Sequence, residues 1–105
     1  MRPLISIVTL GVSDLERAVA FYRDGLGLPT QGIMGTEFEI GAVVFFELES
    51  GLKLALWPCS SLAADTGLPT QPPNPTAFSL AHNVGSASEV DEVMEQARVA
   101  GAKVV

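Results

Sequence analysis

Few side chains in this sequence combine the type and the spacing that chemistry needs. Glu47 and Glu49 stand two apart in AVVFFELES, so strand alternation puts both carboxylates on one face. Such a pair can move protons. More often such a pair is a solvated or cavity-rim face, because Val43 and Phe45 shield it only in part. Trp57 shares a face with Lys53 and Ala55 in LKLALWP. Its ring can stack on a flat or cationic ligand, or it can close a core or an interface. His82 is the only histidine and a candidate ligand or base. A base or ligand needs a partner group, so a structural role is the expectation for it. Cys59 follows a proline with no His or Lys motif beside it, which argues against a nucleophile. No P-loop, dinucleotide fingerprint or GxSxG is present. No residue earns a catalytic role from the sequence.

The bulk properties set bounds on these options. The 105 residues amount to one domain, with 48% of residues hydrophobic and 17% charged. No uncharged apolar run reaches the roughly 18 residues of a membrane span. The apolar excess therefore points to a covered interface or a ligand cavity. The net charge of −6 argues against nucleic acid, which needs a basic surface. It fits a neutral or cationic ligand, or simply solubility. A single cysteine cannot form an internal disulfide. With no cleavable leader at the N-terminus, the cytoplasm is the expected compartment.

Four elements must position any site in the first half. Leu4 to Val12 is rich in β-branched residues, with apolar residues on both faces, and reads as a buried strand. Ser13-Asp14-Leu15-Glu16 has the form of a capping box. Leu15, Ala18, Val19 and Tyr22 then fall on one helix face, and Gly25 is the expected left-handed stop. Pro29 to Met34 is a weak strand. Ala42 to Glu49 and Leu52 to Trp57 form a hairpin about Ser50-Gly51. Its apolar faces, Val44, Phe46 and Leu48 with Leu52, Leu54 and Leu56, cover the helix.

Pro58 to Thr76 holds five of the seven prolines and reads as a connector, with a helical turn near Ser61 to Asp65. A degenerate second copy of the strand–helix unit follows. Phe78 to Val84 is its strand. Ser88-Glu89-Val90-Asp91 resembles a capping box, Val90, Val93, Met94 and Ala97 form a helix face, and Gly101 is the stop. Aligning Val84 with Val12 leaves the second unit about 25 residues short of the first, so further chain beyond Val105 is expected.

The segments VTLGVSDLERAVAFYRDGLGL, FFELESGLKLALWP and AHNVGSASEVDEVMEQARVAGAKVV together resemble the vicinal oxygen chelate superfamily. That superfamily holds the glyoxalase I, extradiol dioxygenase and bleomycin resistance proteins. The resemblance covers essentially the whole chain and is specific for the fold rather than for a reaction. It implies an α+β fold of tandem βαβββ modules whose sheets curl around a shared cavity, with the second module incomplete. Module one is then residues 1–58, the connector 59–76 and partial module two 77–105. It also implies that Ile7, Thr9, Phe45, Glu47 and Trp57 face a small-molecule ligand. Metal-using members place ligands on the first and last strands of each module. In this sequence the first-strand positions hold Ile7 and Ser79, and LKLALWP has no carboxylate. His82 aligns with Leu10, on the opposite face from those positions. The expectation is a metal-free binding protein without a cofactor, and a homodimer. The alternative is a metal-dependent lyase, isomerase or dioxygenase of the glyoxalase type, which would need a divalent metal.

Overall fold

The alternation of apolar residues between Val43 and Trp57 sets the centre of the structure. In the computed structural model, which describes Met1–Val105, this stretch forms β2 (Val44–Glu47) and β3 (Lys53–Pro58). The two strands pair antiparallel, with Val44 opposite Leu56 and Phe46 opposite Leu54. A tight turn joins them, in which Gly51 N–H donates to the Leu48 carbonyl at 3.0 Å. β1 (Ile7–Val12) lies parallel to β3, with Val8 beside Leu54 and Leu10 beside Leu56. The sheet order is β1-β3-β2, so β1 is an edge strand and β3 is central.

One face of this sheet is covered. Helix α1 (Leu15–Val19) starts at Asp14, whose carboxylate accepts from the Arg17 N–H at 3.1 Å. The cap is therefore Asp14 rather than Ser13; a carboxylate there also meets the positive end of the helix dipole. α1 continues as a π-helical segment, Ala20–Gly25. The left-handed residue at its exit is Gly27, at φ 76°, and not Gly25. Val19 inserts against Val44, Phe46, Leu54 and Leu56, and Leu15, Ala18 and Tyr22 pack around that cluster. Phe46, Leu56 and Val44 have no exposed surface. Fully burying such side chains contributes about 1.5–3 kcal/mol each.

The weak strand at 29–34 survives as two isolated antiparallel bridges, Thr30 with Phe46 and Met34 with Val43. One more residue lies between the bridges on the 30–34 side than on the β2 side, which is a bulge. Gly32, at φ 91°, sits inside it and takes the backbone conformation that the extra residue demands.

The second half departs from expectation. α2 (Cys59–Thr66) is longer than the single turn expected within the connector. α3 (Ala87–Val99) is capped by Ser86, which accepts from Glu89 N–H at 3.3 Å while its hydroxyl meets the Glu89 carboxylate at 3.1 Å. The capping box thus opens on Ser86, two residues before Ser88. Gly101 ends α3 as expected, and Ala102 N–H reaches back to the Ala97 carbonyl at 2.9 Å.

Residues 78–84 and 102–105 form no strand. The expectation of tandem modules with sheets curled around a shared cavity is therefore corrected. There is one βαβββ-like unit with an open three-stranded sheet, and no second sheet. The physical reason is that a strand needs a partner edge. Residues 78–84 pair with no edge, not even the free outer edge of β1, and Phe78 and Leu80 stay exposed. Only 7 of 105 residues are buried, and the radius of gyration is 15.0 Å. A compact chain of this length has about 13 Å, so these residues are arranged more openly than that.

α3 joins the first half through a close helix–helix approach. The Gln96 side-chain amide donates to the Gly25 carbonyl at 3.2 Å. A Cβ on Gly25 would overlap the Ala100 methyl, far inside van der Waals contact. Gly25→Ala should therefore cost about 1–3 kcal/mol by overpacking, read as a lower urea midpoint, and Ala100→Gly in the same chain should recover most of it. The sole tyrosine offers a second measurement. Burial disfavours the Tyr22 phenolate and raises its pKa above the ordinary 10.0. Its phenolate absorbance should titrate above that value in the folded protein and return to it in denaturant. The associated stability is complete below pH 10.0 and falls as pH rises through the raised folded value.

Candidate functional site

The face of the sheet turned away from α1 is the candidate site. Register assigns it three rows of side chains. Ile7, Lys53 and Glu47 form the row at one end, and Thr9, Ala55 and Phe45 the middle row. Gly11 and Trp57 lie at the other end. All five residues expected to face a ligand, Ile7, Thr9, Phe45, Glu47 and Trp57, therefore share this face. Ile7 and Thr9 are exposed, Phe45 and Trp57 are half-buried and Ala55 is buried, while at the Gly11 end Cys59 and Leu62 of α2 lie over β1.

A pocket of about 400 Å³ opens at the Glu47 end, walled by Pro29, Thr30, Gln31, Met34, Phe45, Glu47 and Lys53. Such a volume sits at the small end of ligand sites. Half its wall comes from residues 29–34, which the sequence shows only as a weak strand; the bulge at Gly32 was the missed signal. Thr30 is already committed, since its hydroxyl donates to the Phe45 carbonyl at 2.7 Å and accepts from Gly32 N–H at 3.1 Å. Lys53 Nζ stands 3.4 Å from Glu47 Oε1. Glu49 lies beyond the end of β2, in the turn, so no carboxylate pair forms on the face.

Trp57 is committed to a structural contact. Its indole N–H donates to the Ile40 carbonyl at 2.9 Å and ties the 35–41 loop to the rim of the face. Its ring still belongs to the wall, but its only polar atom is occupied.

A larger groove of about 1250 Å³ runs from Gly11 and Cys59 along α1 and its π-helical continuation to α3. It is lined in part by Asp14, Asp24, Glu92 and Glu95. Three of these carboxylates are engaged, Asp14 as the cap of α1. Arg23 hydrogen-bonds Asp24 and holds its pKa below the ordinary carboxylate value, and Arg98 does the same for Glu95. The groove separates packed helices and contains none of the residues expected to meet a ligand. The smaller pocket is the better candidate because it adjoins them.

His82 is exposed and its ring makes no hydrogen bond, so the expected structural contact near the helix start is not formed. Cys59 is a half-buried free thiol beside Gly11. No three His, Cys, Asp or Glu side chains come together to hold a metal ion, and no helix is long and apolar enough to cross a membrane. Trp57→Phe keeps the ring and deletes the donor. It should lower stability by about 1 kcal/mol and speed amide hydrogen exchange in residues 35–41 while leaving α1 unchanged.

Residues 4–105 match the family model described as Glyoxalase/Bleomycin resistance protein/Dioxygenase superfamily. No curated protein matches. Among solved structures, a glyoxalase-related enzyme from Fulvimarina pelagi is 31% identical with a TM-score of 0.76, over 94% of this chain and 66% of that one. A glyoxalase/bleomycin resistance protein/dioxygenase from Nocardioides is 30% identical with a TM-score of 0.70, over 98% of this chain and 65% of that one. Lactoylglutathione lyase from Agrobacterium tumefaciens is 23% identical with a TM-score of 0.52, over 92% of this chain and 69% of that one, a likeness of fold alone. This chain thus spans slightly less than two thirds of the first and second of these proteins. With its strand–helix–hairpin order and a family match running nearly end to end, the chain belongs to the glyoxalase/bleomycin resistance protein/dioxygenase superfamily.

Proposed function

We propose that this protein binds a small, partly apolar molecule on the open face of its sheet, without a metal. One observation carries the reading: the middle row Thr9, Ala55 and Phe45 bears no charge and lies between a charged rim at Glu47 and Lys53 and an aromatic wall at Trp57. That is the composition of a ligand surface, apolar with a few placed polar groups. The divalent metal used by well-known members of the family does not fit this donor set. Ile7 is a hydrocarbon, Lys53–Pro58 contains no carboxylate, and no three potential ligands converge. Dimerisation with a second copy belongs to the same proposal, supported by the family match and by the exposure of Ile7, Leu80 and Met94.

The single tryptophan makes the test direct. Apolar and aromatic metabolites and drugs are titrated while Trp57 fluorescence is followed, with and without a chelator. The expected result is a saturable change for at least one compound, unaffected by the chelator. Thermal stabilisation should follow mass action, about 2.7 kcal/mol at a hundredfold excess over Kd. Thr9→Lys sets a charge in the middle row and should weaken that binding at least ~10-fold, since an unpaired charge against an apolar ligand is costly. Turnover that requires a stoichiometric divalent metal would replace this reading with the metal-dependent lyase, isomerase or dioxygenase.

A further inference from the structure

The molecule has three side-chain ion pairs, and one of them is unlike the others. Arg23–Asp24 and Arg98–Glu95 each make two hydrogen bonds, the forked geometry in which both partners satisfy one another. Glu47 and Lys53 meet only at 3.4 Å, and neither makes a side-chain hydrogen bond. Charge-assisted contacts close to about 2.7–2.9 Å when they are fully formed. The cross-strand register places these two residues directly opposite each other, so the backbone holds them as neighbours whatever their side chains do. The pair lies in the wall of the 400 Å³ pocket, next to Phe45 and Met34.

We infer that this pair is a receptor for a zwitterion: a small molecule with adjacent ammonium and carboxylate groups on an apolar body, the chemistry of an apolar α-amino acid. This inference rests on the binding reading above and specifies its ligand class. The argument is one of charge pairing. A loose, half-exposed pair contributes little, about 0–1 kcal/mol, so opening it costs little. A ligand with one charge takes one partner and leaves the other to water, so it trades one loose contact for one contact. A zwitterion exchanges one loose contact for two, its ammonium on Glu47 and its carboxylate on Lys53. The apolar body then lies against Phe45 and Met34. Gln31, which makes no side-chain hydrogen bond, is available to either group. The small volume suits a single amino acid and not a peptide.

The experiment uses L-phenylalanine with its amide, which keeps only the positive charge, and N-acetyl-L-phenylalanine, which keeps only the negative one. Benzyl alcohol is the uncharged control. Each is titrated into the protein while backbone amide resonances of β2 and β3 are followed. The expected result is saturable binding of phenylalanine, about tenfold tighter than either singly charged form, the loss expected for one charge-assisted contact. Lys53→Met should make phenylalanine and its amide equivalent. Glu47→Gln should make phenylalanine and the N-acetyl form equivalent. The charge exchange Glu47→Lys with Lys53→Glu should restore the preference for the zwitterion. Both side chains are about half or more exposed, and far-UV circular dichroism checks that the variants fold. If the three charged forms bind within twofold of each other, or the single variants leave the preference intact, the inference is overturned. If benzyl alcohol binds the face while phenylalanine gains nothing over it, this inference fails and the binding reading stands. If neither binds, and the wider fluorescence screen is also empty, both fail.

Discussion

Every other feature of the molecule depends on how β3 divides its side chains. Leu54 and Leu56 point to one side and meet Val19, Val44 and Phe46 in a cluster closed to water. Lys53 and Trp57 point to the other, with Ala55 between them. A central strand in this position needs both faces occupied to be at its most stable. Here the face under α1 is closed, and the other is covered only in part, by α2 at the Gly11 end. Slipping the strand by one residue would put Lys53 and Trp57 into the core and Leu56 into water. Register is therefore held strongly, and the five residues of the open face are held with it.

This coupling makes the site a product of the core. Ile7, Thr9, Phe45, Glu47 and Trp57 come from three strands separated by up to fifty positions. They share a surface because the alternating residues between them are buried on the other side. The 29–34 segment adds the pocket wall by a different route. Its bulge shifts the pairing by one residue between Thr30 and Met34, which turns part of a strand into the side of a concavity. Trp57 fixes the far rim by holding the 35–41 loop. A rigid floor, a bulged wall and a tethered rim together shape the concavity proposed above as a binding surface.

What the sequence disclosed was local. The period-two pattern of Val44, Phe46, Leu54 and Leu56 named the buried face correctly, and the spacing of Leu15, Ala18, Val19 and Tyr22 named the helix face. Cap positions were less legible, because Ser13 competes with Asp14 and Ser88 with Ser86. Each serine could cap, and only backbone geometry chooses. The role of Trp57 was hidden, since its partner is a carbonyl seventeen residues away. The failure at residues 78–84 is of another kind. The segment has strand-forming residues, but a strand is a relation between two stretches of chain. The hydrophobic pattern records that a partner is wanted and not whether one is present. Lys53 was visible as part of a mixed face, yet nothing in the sequence marks an ion pair as loose or tight.

The outer edge of β1 carries a last consequence, which concerns how molecules of this chain behave toward one another. Ile7–Val12 is hydrogen-bonded on one side only and holds no proline, no bulge and no charged residue. Those are the usual devices that blunt an exposed edge. What separates neighbouring molecules instead is the acidic charge spread over the rest of the surface, a long-range repulsion set against a short-range adhesive edge. That balance belongs to colloid physics more than to folding. It is secure at neutral pH and low salt, weakens as ions screen the charge, and vanishes as the solution approaches the isoelectric point near 4.5. As that repulsion fades, the first strand is the part of the sheet with the fewest devices against edge-to-edge pairing.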